Sequence, residues 1–484
     1  MKLSIVILSI LLTATAWADC RVRGGAGQRD VLFAVVSTAA TCPLSVQELR
    51  RLLAEDGLAP VPALVANRGA HNPARGSFSI FESTRGASRL LGQRIAPEHL
   101  YFGHFTDLNA KKEVVLDQQS QPNKLLIEVI AYDFQKGLYN FYELVGTPAG
   151  PEWFFRGNTL NALEDNRLLK LGKRPQFGTH MRCSACHNSG GPIMKELSPP
   201  HNDWWTKARG LDFGANKPSA ELQRYLSSFV DASEFSRNVF AGMKLLERRG
   251  LAANLSLKEK LRPLFCTTEI NLRSDSRPLA APASGMEIPA EVFVDPILAK
   301  APALRLSKQA YLQGLGVLGS QFPETTLTDA DHGFLAPVKG VANHLQITEL
   351  IEHRVIDLEF ALDVLSVDFK SPMFSQSRCE LLSLVRESSD WKESFLVSLK
   401  VSSLKAAPEL AAKLAVVNGA EHRKAALEYL RNKEASWQNP EAVLAELRVL
   451  NHLRASVFRD EISQNPKGQI LEPGFRVIFP VFKR

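Results

Sequence analysis

Apolar residues recur at two different periods along this chain. Over 46–55, Leu49, Leu52 and Leu53 share one helical face, and Gly57 is placed to stop the run. Residues 77–81 alternate like a strand. The strongest strand signal is a pair, 125–132 and 138–145, rich in Ile, Val, Tyr and Phe. Asp133-Phe134-Gln135-Lys136-Gly137 between them suits a hairpin loop with a bulge. Trp153-Phe154-Phe155 predicts a further strand after a Pro- and Gly-containing turn. A helix is then expected at 159–169, and a further one at 177–187. Helical spacing returns where Phe235, Val239, Met243 and Leu246 share a face that starts near Asp231 and ends at Gly250. Helices are predicted at 347–352, 355–365 and 381–385. Asn439-Pro440 supplies a cap for a last helix whose apolar face is Val443, Leu447, Leu450, Leu453 and Val457. A late strand is predicted at 475–482, with Pro480 confining it to an edge. The expected fold is α+β and predominantly helical. It has a β-containing N-terminal module (19–157), a helical central region (158–273), a Pro- and Ala-rich linker (274–289) and a mostly helical C-terminal region (290–484).

The first residues change the meaning of the rest. Met1-Lys2, the apolar stretch that follows and Ala16-Trp17-Ala18 read as a cleaved secretory signal over 1–18. The apolar stretch is too short to span a bilayer, and no later run is long enough, so no transmembrane segment is expected in the mature chain. A periplasmic or secreted protein meets oxidising conditions. Cys20, Cys42, Cys266 and Cys379 are therefore expected to form two disulfides, Cys20 with Cys42 and Cys266 with Cys379.

The other two cysteines stand in Cys183-Ser184-Ala185-Cys186-His187. This C-x-x-C-H run is the attachment signature of a covalent c-type haem: two thiols add to the vinyl groups and the histidine binds the iron. On a helix, positions i, i+3 and i+4 share a face, so all three side chains can address one planar ring. Here the chain resembles the c-type cytochromes. The run Gly190-Gly191-Pro192-Ile193-Met194-Lys195-Glu196-Leu197 is also similar to a group of bacterial proteins with one such motif. The resemblance implies one covalent haem c with its iron, a cytochrome c-like helical region around it, and a Pro199 carbonyl as acceptor for the second ring nitrogen of His187. Met194 or Met243 is the candidate distal ligand, though the spacing of Met243 fits a helix core better than a ligand. His180 and His201 are further candidates. Trp204 and Trp205 are expected to pack near the cofactor, and Lys173, Arg174 and Arg182 are candidate propionate partners. No second C-x-x-C exists, so neither a second standard haem c nor a four-cysteine metal site is expected.

Charge adds little. The net +7 comes from dispersed residues, which argues against nucleic acid and allows an acidic redox protein as partner. No nucleotide loop, H-E-x-x-H or G-x-S-x-G is present. The leading expectation is one-electron transfer by an exported monohaem cytochrome. The alternatives are a haem enzyme of peroxidase or oxidase type with an open distal site, a thiol–disulfide oxidoreductase using Cys183 and Cys186, and a redox-inert binding protein. The thiol reading lacks the βαβ flank that such motifs keep.

Overall fold

Backbone pairing in the first third of the chain determines the architecture. The computed structural model describes residues 20–64, 79–117, 119–170, 183, 187, 189–193, 216–273, 285–318, 336–373 and 375–464. Strands β1 (Val22–Arg23), β2 (Leu58–Leu64), β3 (Ser79–Ser88), β4 (Gln93–Ile95) and β5 (Leu100–Phe105) come first. Two short strands follow, β6 (Asp107–Leu108) and β7 (Glu113–Val115). The long strands β8 (Leu125–Asp133), β9 (Leu138–Thr147) and β10 (Gly150–Asn158) come next. The main sheet has eight strands in the order β1-β10-β9-β8-β5-β3-β2, with β4 on β3. All its pairs are antiparallel except β1 with β10. β11 (Lys217–Pro218) joins β7 in a small sheet.

This overturns the predominantly helical expectation. Helix accounts for 46% of the interpretable residues, and the fold is mixed α/β around the large sheet rather than a helical cytochrome c-like one. The reason lies in how the sheet is covered. Val31–Ser37 and Val46–Glu55 pack on one face and Ala232–Leu246 on the other, and both interfaces are apolar. Strands buried on both sides read as continuous apolar runs, and continuous runs do not announce themselves as sheet.

Local chemistry sets the key joints. The Ser45 hydroxyl accepts the Glu48 N–H at 3.2 Å and starts the helix whose Val46, Leu49 and Leu53 are buried. The β8–β9 hairpin is closed by Asp133. Its carboxylate accepts the N–H groups of Gln135 (3.0 Å), Lys136 (2.9 Å) and Arg29 (3.0 Å), and Gly137 takes φ +70°. Burial pushes this carboxyl up, but these donors outweigh it and hold it below the ordinary aspartate value. The closure pairs Tyr132 with Tyr139, Ile130 with Phe141 and Glu128 with Glu143.

The second half has its own core, built on Leu257–Phe265, Val341–Glu352, Leu358–Ser366, Trp391–Val401, Ala407–Leu414, Gly419–Ser436 and Pro440–Gln464. Val443, Leu447 and Leu450 are buried, as the spacing predicts. Two small antiparallel sheets join in. β12 (Ile270–Arg273) pairs with β15 (Ala336–Lys339). β13 (Met286–Ile288), inside the expected linker, pairs with β14 (Leu304–Leu306). Lys339 and Asp295 form an ion pair at 2.9 Å, each 2% exposed. Burial pushes Asp295 up, yet Lys339 and His344 beside it leave it well below the usual carboxylate range. Both expected disulfides are present, Cys20–Cys42 and Cys266–Cys379. Among the described residues no helix is long and apolar enough to cross a membrane. The expected signal peptide and the strand at 475–482 lie outside the described residues.

Candidate functional site

The face of the sheet under Ala232–Leu246 carries a small cavity that opens to solvent. Cys183 and His187 sit at this cavity, with Phe81, Tyr101, Gly103, Glu128, Ile130, Phe141 and Glu143 in its walls. Strand parity explains the wall. Tyr101 and Gly103 face the same side of β5, and register brings Ile130 with Phe141, and Glu128 with Glu143, onto that side. Gly103 is needed here: a Cβ would come within 2.9 Å of the Glu128 carboxylate and would overlap the Phe81 ring.

The motif is shaped by its backbone. The His187 N–H donates to the Cys183 carbonyl at 2.8 Å, one helical turn earlier. The chain then turns sharply, with the Gly190 N–H on the His187 carbonyl at 2.8 Å and Gly190 at φ +70°. The Thr159 hydroxyl donates to the Gly190 carbonyl at 2.7 Å and accepts the Tyr139 N–H at 3.1 Å, which ties the turn to β9. This fold-back brings the Ile193 carbonyl to 3.0 Å from His187 Nδ1. A carbonyl only accepts, so Nδ1 carries a proton, and in the neutral ring Nε2 holds the lone pair. The described acceptor is the Ile193 carbonyl, six residues on; Pro199, the acceptor the resemblance implies, lies outside the described residues. The Gly-Gly-Pro turn reverses the chain much sooner than the cytochrome resemblance implies. His187 is 4% exposed, and its ring lies 5.6 Å from that of Phe141.

Met243 is fully buried with Phe235, Val239 and Leu246. Its side chain packs on the turn after the motif: a Cβ at Gly191 would overlap the Met243 sulfur and sit 2.9 Å from its Cε. Gly191→Ala is accordingly expected to cost about 1–3 kcal/mol through overpacking. Guanidinium unfolding checks this, and an unchanged midpoint would show the contact to be slack. Cys186, Met194, Trp204, Trp205, His180, His201, Lys173, Arg174, Arg182 and Pro199 lie outside the described residues.

The residues present fit the group the motif implies. Cys183 and a nitrogen-presenting histidine stand one turn apart at an aromatic cavity, and the histidine has the second-sphere bond that fixes its tautomer. Cys183 and Cys186 would hold the ring and His187 the iron, and the group would supply one-electron chemistry. The polypeptide supplies orientation, burial and the carboxylates of the wall. Glu143 is 2% exposed and accepts from Arg156 Nε at 2.8 Å, and Arg156 lies 4.5 Å over the Phe154 ring. Sequence reasoning passed over Glu128, Glu143 and Arg156. The available signal was one lone glutamate in each apolar hairpin strand, brought opposite one another by a closure at Asp133 and Leu138. Among the described residues, no group of three or more His, Cys, Asp or Glu is placed to hold a bare metal ion. No family model, curated protein or solved structure matches the chain.

Proposed function

We propose that this chain is an exported monohaem c-type cytochrome that passes single electrons through a haem joined to Cys183 and Cys186, with His187 on the iron. One observation carries the reading. The His187 Nδ1–H donates a hydrogen bond to the Ile193 carbonyl, which leaves Nε2 as the nitrogen suited to a metal, one turn from Cys183. The two disulfides support an oxidising compartment, where such attachment takes place. The test is to produce the protein in a host with periplasmic haem-attachment machinery, extract it with acidified acetone, and record the reduced pyridine spectrum of the pellet. Haem that stays with the polypeptide and gives a c-type α band is the expected result. A colourless pellet beside a coloured control cytochrome would end the proposal and favour the thiol chemistry.

A second reading, a haem enzyme with an open distal site, draws on the two carboxylates in the cavity wall, which are unusual company for a simple carrier. The same preparation separates the two. A carrier resists carbon monoxide and cyanide; an enzyme of this kind binds them readily.

A further inference from the structure

The face of the sheet that holds the cavity does not end there. Tyr101 in the cavity wall has its ring centroid 6.4 Å from that of Tyr139. Tyr139 lies 5.3 Å from Tyr132, its cross-strand partner. Tyr132 in turn lies 5.6 Å from His99 and 5.5 Å from Phe134. The three tyrosines are buried and the last two rings half-buried, so a continuous aromatic row leads from the cavity to the surface beside the hairpin tip. Electronic coupling falls exponentially with the gaps an electron must cross, and close ring-to-ring steps keep those gaps short. The hydroxyls of Tyr101 and Tyr139 donate to the carbonyls of Asn238 (2.8 Å) and Glu98 (2.7 Å). A carbonyl does not take a proton, and burial pushes both phenols well above their ordinary pKa. The rings therefore stay intact phenols and serve as a bridge.

The row surfaces in a basic setting. Arg29, Lys136 and Arg249 are exposed there. The Arg29 carbonyl accepts the Phe134 N–H at 3.2 Å, and Arg249 packs on Gly137 beside Lys136. The acidic groups nearby are Asp133, buried, saturated with donors and 3.6 Å from Lys136 Nζ, Asp30, buried beside it, and Glu98, half-buried. A half-buried aromatic centre with a cationic rim has the anatomy of a small docking site. Its charge selects an acidic partner.

Resting on the haem reading, we propose that the hairpin tip around Phe134, with His99 and Arg249, is the docking face for an acidic one-electron redox protein, and that Tyr101, Tyr139 and Tyr132 couple the cavity to it. One electron leaves the ferrous haem, which becomes ferric, and enters the partner's oxidised metal; no bond or proton is exchanged. The acetone-and-pyridine assay comes first, so absence of haem is seen as failure of the earlier reading and not of this one. The probe is then an acidic blue copper protein, mixed in its Cu(II) form with the reduced holoprotein by stopped flow, with a neutral quinone as a second oxidant that needs no docking. The triple variant R29Q/K136Q/R249Q is expected to lose about tenfold in the second-order rate with the copper protein at low salt, together with most of its ionic-strength dependence. The quinone rate should hold. A copper-protein rate that stays within about twofold overturns the docking face, and so does an equal fall with both oxidants. Tyr132→Leu is expected to slow transfer at saturating copper protein while keeping the salt dependence. An unchanged saturating rate in that variant removes the tyrosine bridge.

Discussion

On the haem reading, the His187→Ala protein is expected to stay coloured and to lose its axial imidazole. Covalent attachment depends on the two thiols, so haem should remain with the acetone-precipitated chain. Removing the ring leaves a void beside Phe141 and frees the Ile193 carbonyl that fixed the tautomer. The reduced spectrum should change in band shape and position, and the midpoint potential should move with it, because axial-ligand identity is one of the protein's levers on a haem. Added imidazole can enter the vacated space, donate one N–H to the Ile193 carbonyl and present its other nitrogen to the iron. Restoration of the spectrum by imidazole, and not by a bulkier amine, is the decisive readout. A reduced spectrum identical to that of the parent would remove His187 from the iron.

Replacing Cys266 and Cys379 together by alanine is expected to lower the unfolding free energy by about 4–5 kcal/mol, against about 3 kcal/mol for Cys20 with Cys42. The difference follows from loop length. The first bridge spans 113 residues and the second 22, and a longer loop removes more entropy from the unfolded chain. The long bridge also joins the end of Leu257–Phe265 to Gln376–Leu381, where Arg378 is 1% exposed. Its guanidinium donates to the carbonyls of Phe265, Val367 and Pro372 at 3.1–3.3 Å. That guanidinium limits local rearrangement in the variant, so the loss should be chiefly one of chain entropy. Guanidinium unfolding followed by tryptophan fluorescence, to which the buried Trp391 and Trp437 of this half contribute, checks the cost. A cost no larger than that of the short bridge would refute the loop-length account.

Some of this molecule was legible and some was not, for definite reasons. The helix Val46–Glu55 agrees with its sequence prediction to the residue, because a serine cap, an amphipathic stripe and a stopping glycine all agree. The hairpin was found because aromatic and β-branched runs flank an Asp-to-Gly turn. The rest of the sheet was hidden. Strand β2 contains Pro60 and Pro62, which argue against a strand except at a sheet edge, and β2 is an edge strand. Strand β5 is buried at every position and interrupted by Gly103, so it shows no alternation. Strand β1 is two residues long and pairs with β10, far along the chain, which no local pattern can reveal. At the site, Cys183 and His187 announce their chemistry through spacing alone. The acceptor for His187 depends on how tightly Gly190 and Gly191 turn, and that is set by Thr159 and Met243, both remote in sequence.

The covering of His187 also imposes an order on assembly. The imidazole is 4% exposed, held between Phe141 of the sheet and the fold-back that Met243 presses down. Under the proposed function, machinery that joins a large planar group to Cys183 would need this corner open. All eight strands of the main sheet precede the motif in the chain, whereas Ala232–Leu246 follows it. A polypeptide delivered N-terminus first can thus complete its sheet while the motif is still arriving. On the haem reading, attachment would fall in the interval before the later helix seals the face, and speeding that helix's closure would shorten the time left for maturation.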